Sequence, residues 1–224
     1  MESFHSHRAL TAQAGFTLIE LLVVLAIIAV VTGIVLTSQS SFNRTLVVAN
    51  TAYDVALTLR SAETYGLGSR GVGALTNAGY GIDFEKATPS SFTLFLDKYP
   101  SAGAAFSCHP AADPSAPSAE PGDCVYEAAQ GEKVSLYTLG NGITLSNFCA
   151  YAGGAWSCAA DTLTSLAIVF ARPNPVAFIS ANGSYSLTTP ASAACLTLSS
   201  PAGGSRYVSV NSVGRITAGA TSCP

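Results

Sequence analysis

The sequence predicts an α+β fold in which one long N-terminal helix precedes a domain of short β-strands. An apolar run from Phe16 to Leu36 is followed by apolar residues at intervals close to four, the spacing of one helix face. From Gly79 onward the chain changes to short runs rich in β-branched and aromatic residues, bounded by turn residues. The second half of the helix is therefore expected to pack against a β-sheet.

The helix is predicted over residues 16–66, after a polar leader formed by residues 1–15. Segment 16–36 is apolar on every side and long enough to cross a bilayer, which takes about 20 residues. Arg8 is the only Lys or Arg of the leader, and this weakly favours a cytoplasmic leader. The second half of the helix is amphipathic, and glycines at 66 and 68 are expected to end it.

Glu20 is the one carboxylate inside the apolar run. An unpaired charge in hydrocarbon costs several kcal/mol, so an acid is expected there only with a partner. The alternative is a plain membrane anchor, in which Glu20 lies near the membrane interface.

The junction of leader and apolar run has the sequence Gly15-Phe16-Thr17-Leu18-Ile19-Glu20. It resembles the signal of type IV pilins and type II secretion pseudopilins. The resemblance implies cleavage by a prepilin peptidase between Gly15 and Phe16, followed by N-methylation of Phe16. It also implies that Glu20 sets the register of assembly by pairing with the terminal amine of a neighbouring subunit. Packing against neighbouring helices would come from Leu18, Ile19, Leu22 and Val23.

Two further segments, residues 59–63 (LRSAE) and 206–216 (RYVSVNSVGRI), resemble the FimT/GspH group of minor pilins and pseudopilins. In that group a pair of antiparallel sheets packs against the long helix. The resemblance implies a non-catalytic subunit of a type IV pilus or type II secretion filament, without cofactor or metal. Its partners would be other pilin or pseudopilin subunits, the prepilin peptidase and an inner-membrane assembly platform. It would cross the inner membrane once, with residues 67–224 in the periplasm or outside, before joining a filament.

DNA uptake is the alternative function, because DNA-binding FimT-type pilins resemble one another in a C-terminal Gly-Arg-x-Arg. Here Gly214-Arg215-Ile216-Thr217 lacks the second arginine, and Arg206 is the candidate to replace it from across a hairpin. The net charge of −3 opposes binding to a polyanion.

The six cysteines all follow residue 100, and none forms a CxxC pair, so a structural zinc site is a poor interpretation. Outside the cytoplasm such cysteines form disulfides, and six cysteines allow 15 complete pairings. The sequence does not choose among these pairings. Pairing of sequence neighbours is one hypothesis, and it would close part of a Pro- and Ala-rich loop at about 100–132. It joins Cys108 to Cys124, Cys149 to Cys158 and Cys195 to Cys223.

No sequence motif for a catalytic nucleophile or a phosphate loop is present, and no enzymatic activity is expected. Asp83 with Glu85, and Glu127 with Glu132, are carboxylate pairs of a kind that glycosidases use. A solvated strand edge is the simpler explanation of Asp83 and Glu85. The strands are predicted at 80–84, 92–96, 134–139, 166–170, 176–179, 195–198, 207–210 and 215–217.

Overall fold

The structure of the chain, a computed structural model, describes residues 15–68, 78–98, 108, 122–172, 174–201, 203–219 and 222–223. The side chains of residues 37–44 are not described. Residues 1–14 of the predicted leader and most of the predicted loop at 100–132 lie outside the described residues. The chain divides into two units, Met1–Phe42 and Asn43–Pro224.

Helix α1 runs from Leu18 to Leu67 and carries the apolar run and the amphipathic segment in one element. It begins two residues later than predicted, because Thr17 caps it. The amide of Gly68 donates a hydrogen bond to the carbonyl oxygen of Thr64 at 2.9 Å, one turn before the helix ends. The predicted end at residue 66 is therefore correct to within one residue.

Ten strands and a short 3₁₀ helix, Ala128–Gln130, follow α1. They form two five-stranded antiparallel sheets with the orders β3-β2-β1-β6-β7 and β10-β9-β8-β4-β5, here called the first and second sheets. The α+β prediction with antiparallel sheets is confirmed. The strands are β1 Gly79–Glu85, β2 Ser91–Asp97, β3 Lys133–Thr138, β4 Thr144–Ala152, β5 Ala155–Cys158, β6 Ser165–Phe170, β7 Ala177–Ala181, β8 Ala193–Ser199, β9 Ser205–Asn211 and β10 Ile216–Gly219.

The main core joins the second half of α1 to both sheets. Val48, Val55 and Leu59 are almost completely buried on the helix, at the spacing of one helix face. They pack in one cluster with β-strand side chains such as Ile82 and Leu196. Each such side chain stabilises the fold by about 1.5–3 kcal/mol relative to its exposed state.

Strands β4 and β5 were not predicted. They contain Ser, Asn, Ala and Cys, which do not show the β-branched pattern of a typical strand. Hydrogen bonding to neighbouring strands determines their conformation instead, because β4 lies between β8 and β5 and hydrogen-bonds to both. Strand propensity alone therefore misses a central strand of the second sheet.

Gly66 is buried where α1 meets β6. A Cβ atom at this position would overlap the carbonyl oxygen of Phe170. Gly66→Ala should therefore lower the free energy of unfolding by about 1–3 kcal/mol, the usual cost of overpacking. The measurement is urea unfolding of the detergent-solubilised protein. The matched control is Gly140→Ala, since nothing lies within 4 Å of a Cβ there. Equal stability of the two variants would contradict the packing argument.

Candidate functional site

The first turn of α1 holds the candidate assembly residues. The backbone amide of Glu20 donates to Oγ1 of Thr17 at 3.3 Å, and the amide of Leu21 donates to the Thr17 carbonyl at 3.2 Å. Thr17 is thus the N-cap of the helix, and its spacing to Glu20 is that of a capping box. This role was missed, although Thr-x-x-Glu before an apolar run signals it. The carboxylate lies where the helix dipole favours negative charge.

The apolar side chains around Glu20 are exposed. The exposed fraction is 84% for Phe16, 81% for Leu18 and 49% for Val23. Leu18–Leu36 is, within the described chain, the one helical segment long and apolar enough to cross a membrane. Ile19 and Leu22 share this exposure. A continuous apolar surface of this size is unfavourable in water and is typical of a membrane or protein contact.

The two segments that resemble the FimT/GspH group meet at the end of α1. The guanidinium of Arg60 donates from its Nη2 atom to the carbonyl oxygen of Ile216 at 3.2 Å. Gly214 is buried with a φ of +84°, and a Cβ there would overlap the carbonyl oxygen of Pro175. The same Cβ would lie 3.7 Å from Oε1 of Glu63. In this part of the molecule the matching residues pack the C-terminal hairpin on the helix.

Arg206 and Arg215 lie on opposite faces of the second sheet. Val208 and Val210 face the core, and strand alternation places Arg206 on their side. Asn211 lies opposite Arg215, since the amide of Asn211 donates to the Arg215 carbonyl at 3.1 Å. The expectation that Arg206 faces Arg215 across the hairpin is therefore wrong. Arg206 lies five residues before Asn211 on β9. Because successive side chains of a strand point to alternate faces, an odd separation places these two side chains on opposite faces of the sheet.

The cysteines form three disulfides between sequence neighbours, Cys108–Cys124, Cys149–Cys158 and Cys195–Cys223. Among the described residues, one group of three potential metal ligands occurs, formed by Asp97, Cys108 and Cys124. Its two sulfur atoms are bonded to each other and therefore provide no thiolate for a metal.

Two carboxylates are buried beside the Cys108–Cys124 disulfide. Asp97 accepts hydrogen bonds at 3.0 Å from the amides of Asp123 and Cys124. Glu132 accepts from the amides of Lys98 at 2.9 Å and Glu127 at 2.7 Å. Burial raises the pKa of Asp97 well above its usual range and the pKa of Glu132 to about 7. These carboxylates hold the chain around the disulfide against the first sheet. Among the described residues, no Ser or Thr hydroxyl donates a hydrogen bond to either carboxylate.

Asp83 is only 5% exposed, so the expectation of a solvated strand edge is wrong for this residue. Burial, and secondarily the charge of Glu85, raise its pKa to about 7. The folded state therefore retains a proton that the unfolded chain releases near pH 4. The contribution of Asp83 to the free energy of unfolding should therefore fall as pH rises from about 4 to 7, and it should stay low above that range.

Asp83→Asn should flatten this pH dependence by on the order of 3 kcal/mol between pH 5 and pH 8, because it removes one titrating group. Asp97 and Glu132, whose pKa values are also raised by burial, leave a residual slope. Urea unfolding at the two pH values measures the change, and Asp161→Asn in an exposed turn is the control. An unchanged slope in Asp83→Asn would show that folding does not raise the pKa of Asp83.

Comparison with known proteins found one match, to the family model described as the prokaryotic N-terminal methylation motif, over residues 10–36. No curated protein and no solved structure matched the chain. The matched segment contains Gly15, Phe16, Glu20 and the exposed apolar half of α1. The chain thus carries the methylation motif of type IV pilin-like proteins, and this motif supports a subunit that is processed as a prepilin.

Proposed function

We propose that the protein is a non-catalytic minor pilin or pseudopilin, made as a precursor and assembled into a filament through α1. The observation that carries this proposal is a single acid, Glu20, within an exposed apolar helix that bears the methylation motif. A prepilin peptidase removes residues 1–15, and the new amine at Phe16 is methylated. Before assembly the protein is anchored in the inner membrane, with its β-domain in the periplasm.

Glu20 sets the register in which the helices of neighbouring subunits align during assembly. Cleavage creates a positive amine at Phe16, and Glu20 of an entering subunit pairs with the amine of a subunit already in the filament. In low dielectric this pair is attractive, while either charge alone is costly. The pair therefore selects one alignment among helices whose other contacts are uniformly apolar.

The surrounding side chains supply the packing energy. Leu18, Ile19, Leu22 and Val23 leave the lipid and pack against neighbouring helices. The second half of α1 is held in the core of the β-domain, so the domain follows its helix into the filament. Three disulfides suit a domain outside the cytoplasm, where they persist.

Mass spectrometry of the membrane-assembled protein tests this proposal. The expected chain starts at Phe16 and carries one methyl group. Gly15→Val should retain the leader, because its side chain crowds the bond to be cut, and Gly33→Val within the same helix is the matched control. A mature terminus elsewhere, or working filaments of uncut protein, would contradict processing at this position.

A second experiment distinguishes a type IV pilus subunit from a type II secretion subunit. A type IV pilus subunit should copurify with filaments in small amounts. A type II secretion subunit should instead be required for export of a folded protein. Absence of the protein from purified filaments, together with unchanged export after its deletion, would contradict both forms of the proposal.

A further inference from the structure

The register of the second sheet aligns five residues in one row across its outer face. Trp156 pairs with Tyr151, Tyr151 with Ala193, and Ala193 with Asn211. Arg215 continues the row beyond Asn211. Paired residues share one face of a sheet, and the flanking Ala194 and Val210 are buried on the core side.

A groove of about 390 Å³ lies along this row. Its lining includes Ala193 and Cys195 together with Trp156 and Arg215, which lie at the two ends of the row. The disulfide from Cys195 to Cys223 brings Ser222 to the groove as a further lining residue. A volume of this size is within the usual range for a small-molecule site.

The groove combines an aromatic surface with a cation. Trp156 is 38% exposed. The centroid of its ring lies 5.2 Å from that of Tyr151, and the two ring planes make an angle of 53°. The backbone amide of Arg215 donates to Oδ1 of Asn211 at 2.8 Å. Its guanidinium makes no hydrogen bond or ion pair with any residue in the described ranges. Arg215 is the only charged residue that lines the groove in the described part of the chain.

Neutral hydrogen-bonding groups complete the lining. The hydroxyls of Ser209 and Thr217 lie 2.6 Å apart and bond to each other across β9 and β10. Both also border an adjacent hollow of about 60 Å³ that reaches Tyr207. The polar surface therefore continues past the groove along the β9–β10 pair.

We propose that this groove binds an acidic sugar residue within a glycan, of the hexuronate class. The C–H face of a pyranose ring packs on the indole of Trp156, as apolar groups do on an aromatic face. The sugar carboxylate pairs with the guanidinium of Arg215, whose fork matches a carboxylate. Asn211 and the hydroxyls of Ser209 and Thr217 bond to the sugar hydroxyls, and the hollow beside Tyr207 receives part of the next residue.

A single negative charge suits this site better than a polyphosphate does. Affinity for nucleic acid grows with the number of phosphates that are neutralised, and the groove offers one cation. The net charge of −3 adds no general attraction for a polyanion. Stacking of a base on Trp156 is the competing interaction, and the test separates the two ligands.

Trp156 is the only tryptophan of the chain, so fluorescence excited at a wavelength that tyrosine does not absorb reports on the groove alone. The full chain in detergent is titrated with a galacturonate trisaccharide and with the matching neutral galactose trisaccharide. We expect a saturable fluorescence change with the acidic sugar and at least about tenfold weaker binding of the neutral one, a difference of about 1.4 kcal/mol.

Arg215→Gln should weaken binding of the acidic sugar at least about tenfold, since it removes the one charge that faces the ligand. Arg206→Gln, on the opposite face of the same sheet, removes an equal charge and should bind like the wild type. Trp156→Ala should abolish the heat of binding in calorimetry, with unchanged circular dichroism as evidence of folding.

Absence of a saturable signal with the acidic sugar, or equal affinity for the neutral one, would overturn the proposal. So would salt-dependent binding of single-stranded DNA that is lost in Arg215→Gln while the sugar does not bind. A loss of sugar binding in Arg206→Gln equal to that in Arg215→Gln would also overturn it, because the charge effect would then not belong to the groove.

Discussion

Glu20→Ala should lower incorporation of the protein into filaments by about 100-fold or more, while the β-domain folds normally. Removing one partner of a buried ion pair costs about 3–5 kcal/mol, and each 1.4 kcal/mol is a factor of about ten. The unpaired charge left behind is the amine at Phe16 of a neighbouring subunit. Incorporation is measured as the share of chain in sheared filaments relative to the membrane pool.

Three variants separate the charge from other effects of the substitution. Glu20→Gln preserves size and should fail like Glu20→Ala. Thr17→Val removes the cap seen at the start of α1 and should cost only about 1 kcal/mol. Asp161→Ala, in an exposed turn of the β-domain, should assemble like the wild type. Wild-type incorporation of Glu20→Gln would show that the carboxylate does not set the register.

The sequence predicted those elements whose pattern is local. The helix is strongly periodic over its second half, so its existence and its end near Gly66 were predictable. Two Asn-Gly pairs, Asn141-Gly142 and Asn182-Gly183, are also local signals, since such pairs are typical of tight turns. In the structure all four residues have a positive φ, from 54° to 68°, which Asn and Gly adopt most readily. The start at Leu18 was missed because the cap at Thr17, two residues past the expected cleavage position, was not considered.

The features that depend on pairing were not predictable. The Trp156–Arg215 row exists only through the registers of four strand pairs, two of which involve the unpredicted β4 and β5. The burial of Asp83 and Glu132 follows from what covers the first sheet, and no spacing in the sequence signals it. The opposite placement of Arg206 and Arg215 likewise required the register of β9 with β10.

Asp97 anchors the second, smaller core of the β-domain. This core lies on the outer face of the first sheet, where Phe95 and Val169 pack with the Cys108–Cys124 disulfide. Asp97 is fully buried, and its two oxygens accept the amides of Asp123 and Cys124. The carbonyl oxygen of Cys124 in turn accepts a hydrogen bond from the Ser180 hydroxyl at 2.5 Å. Asp97 thus holds the segment that carries the disulfide.

Asp97→Leu should lower the free energy of unfolding by about 2–6 kcal/mol, because two buried amides lose their acceptor at about 1–3 kcal/mol each. Asp97→Asn keeps one carbonyl oxygen for one amide and should lose roughly half as much. Asp161→Leu in an exposed turn should change stability by no more than about 0.5 kcal/mol. Urea unfolding of the oxidised protein gives these values. If Asp97→Leu does not fold, the smaller loss in Asp97→Asn still tests the argument. Wild-type stability of both variants would show that the two amides find other acceptors, and that Asp97 does not anchor this core.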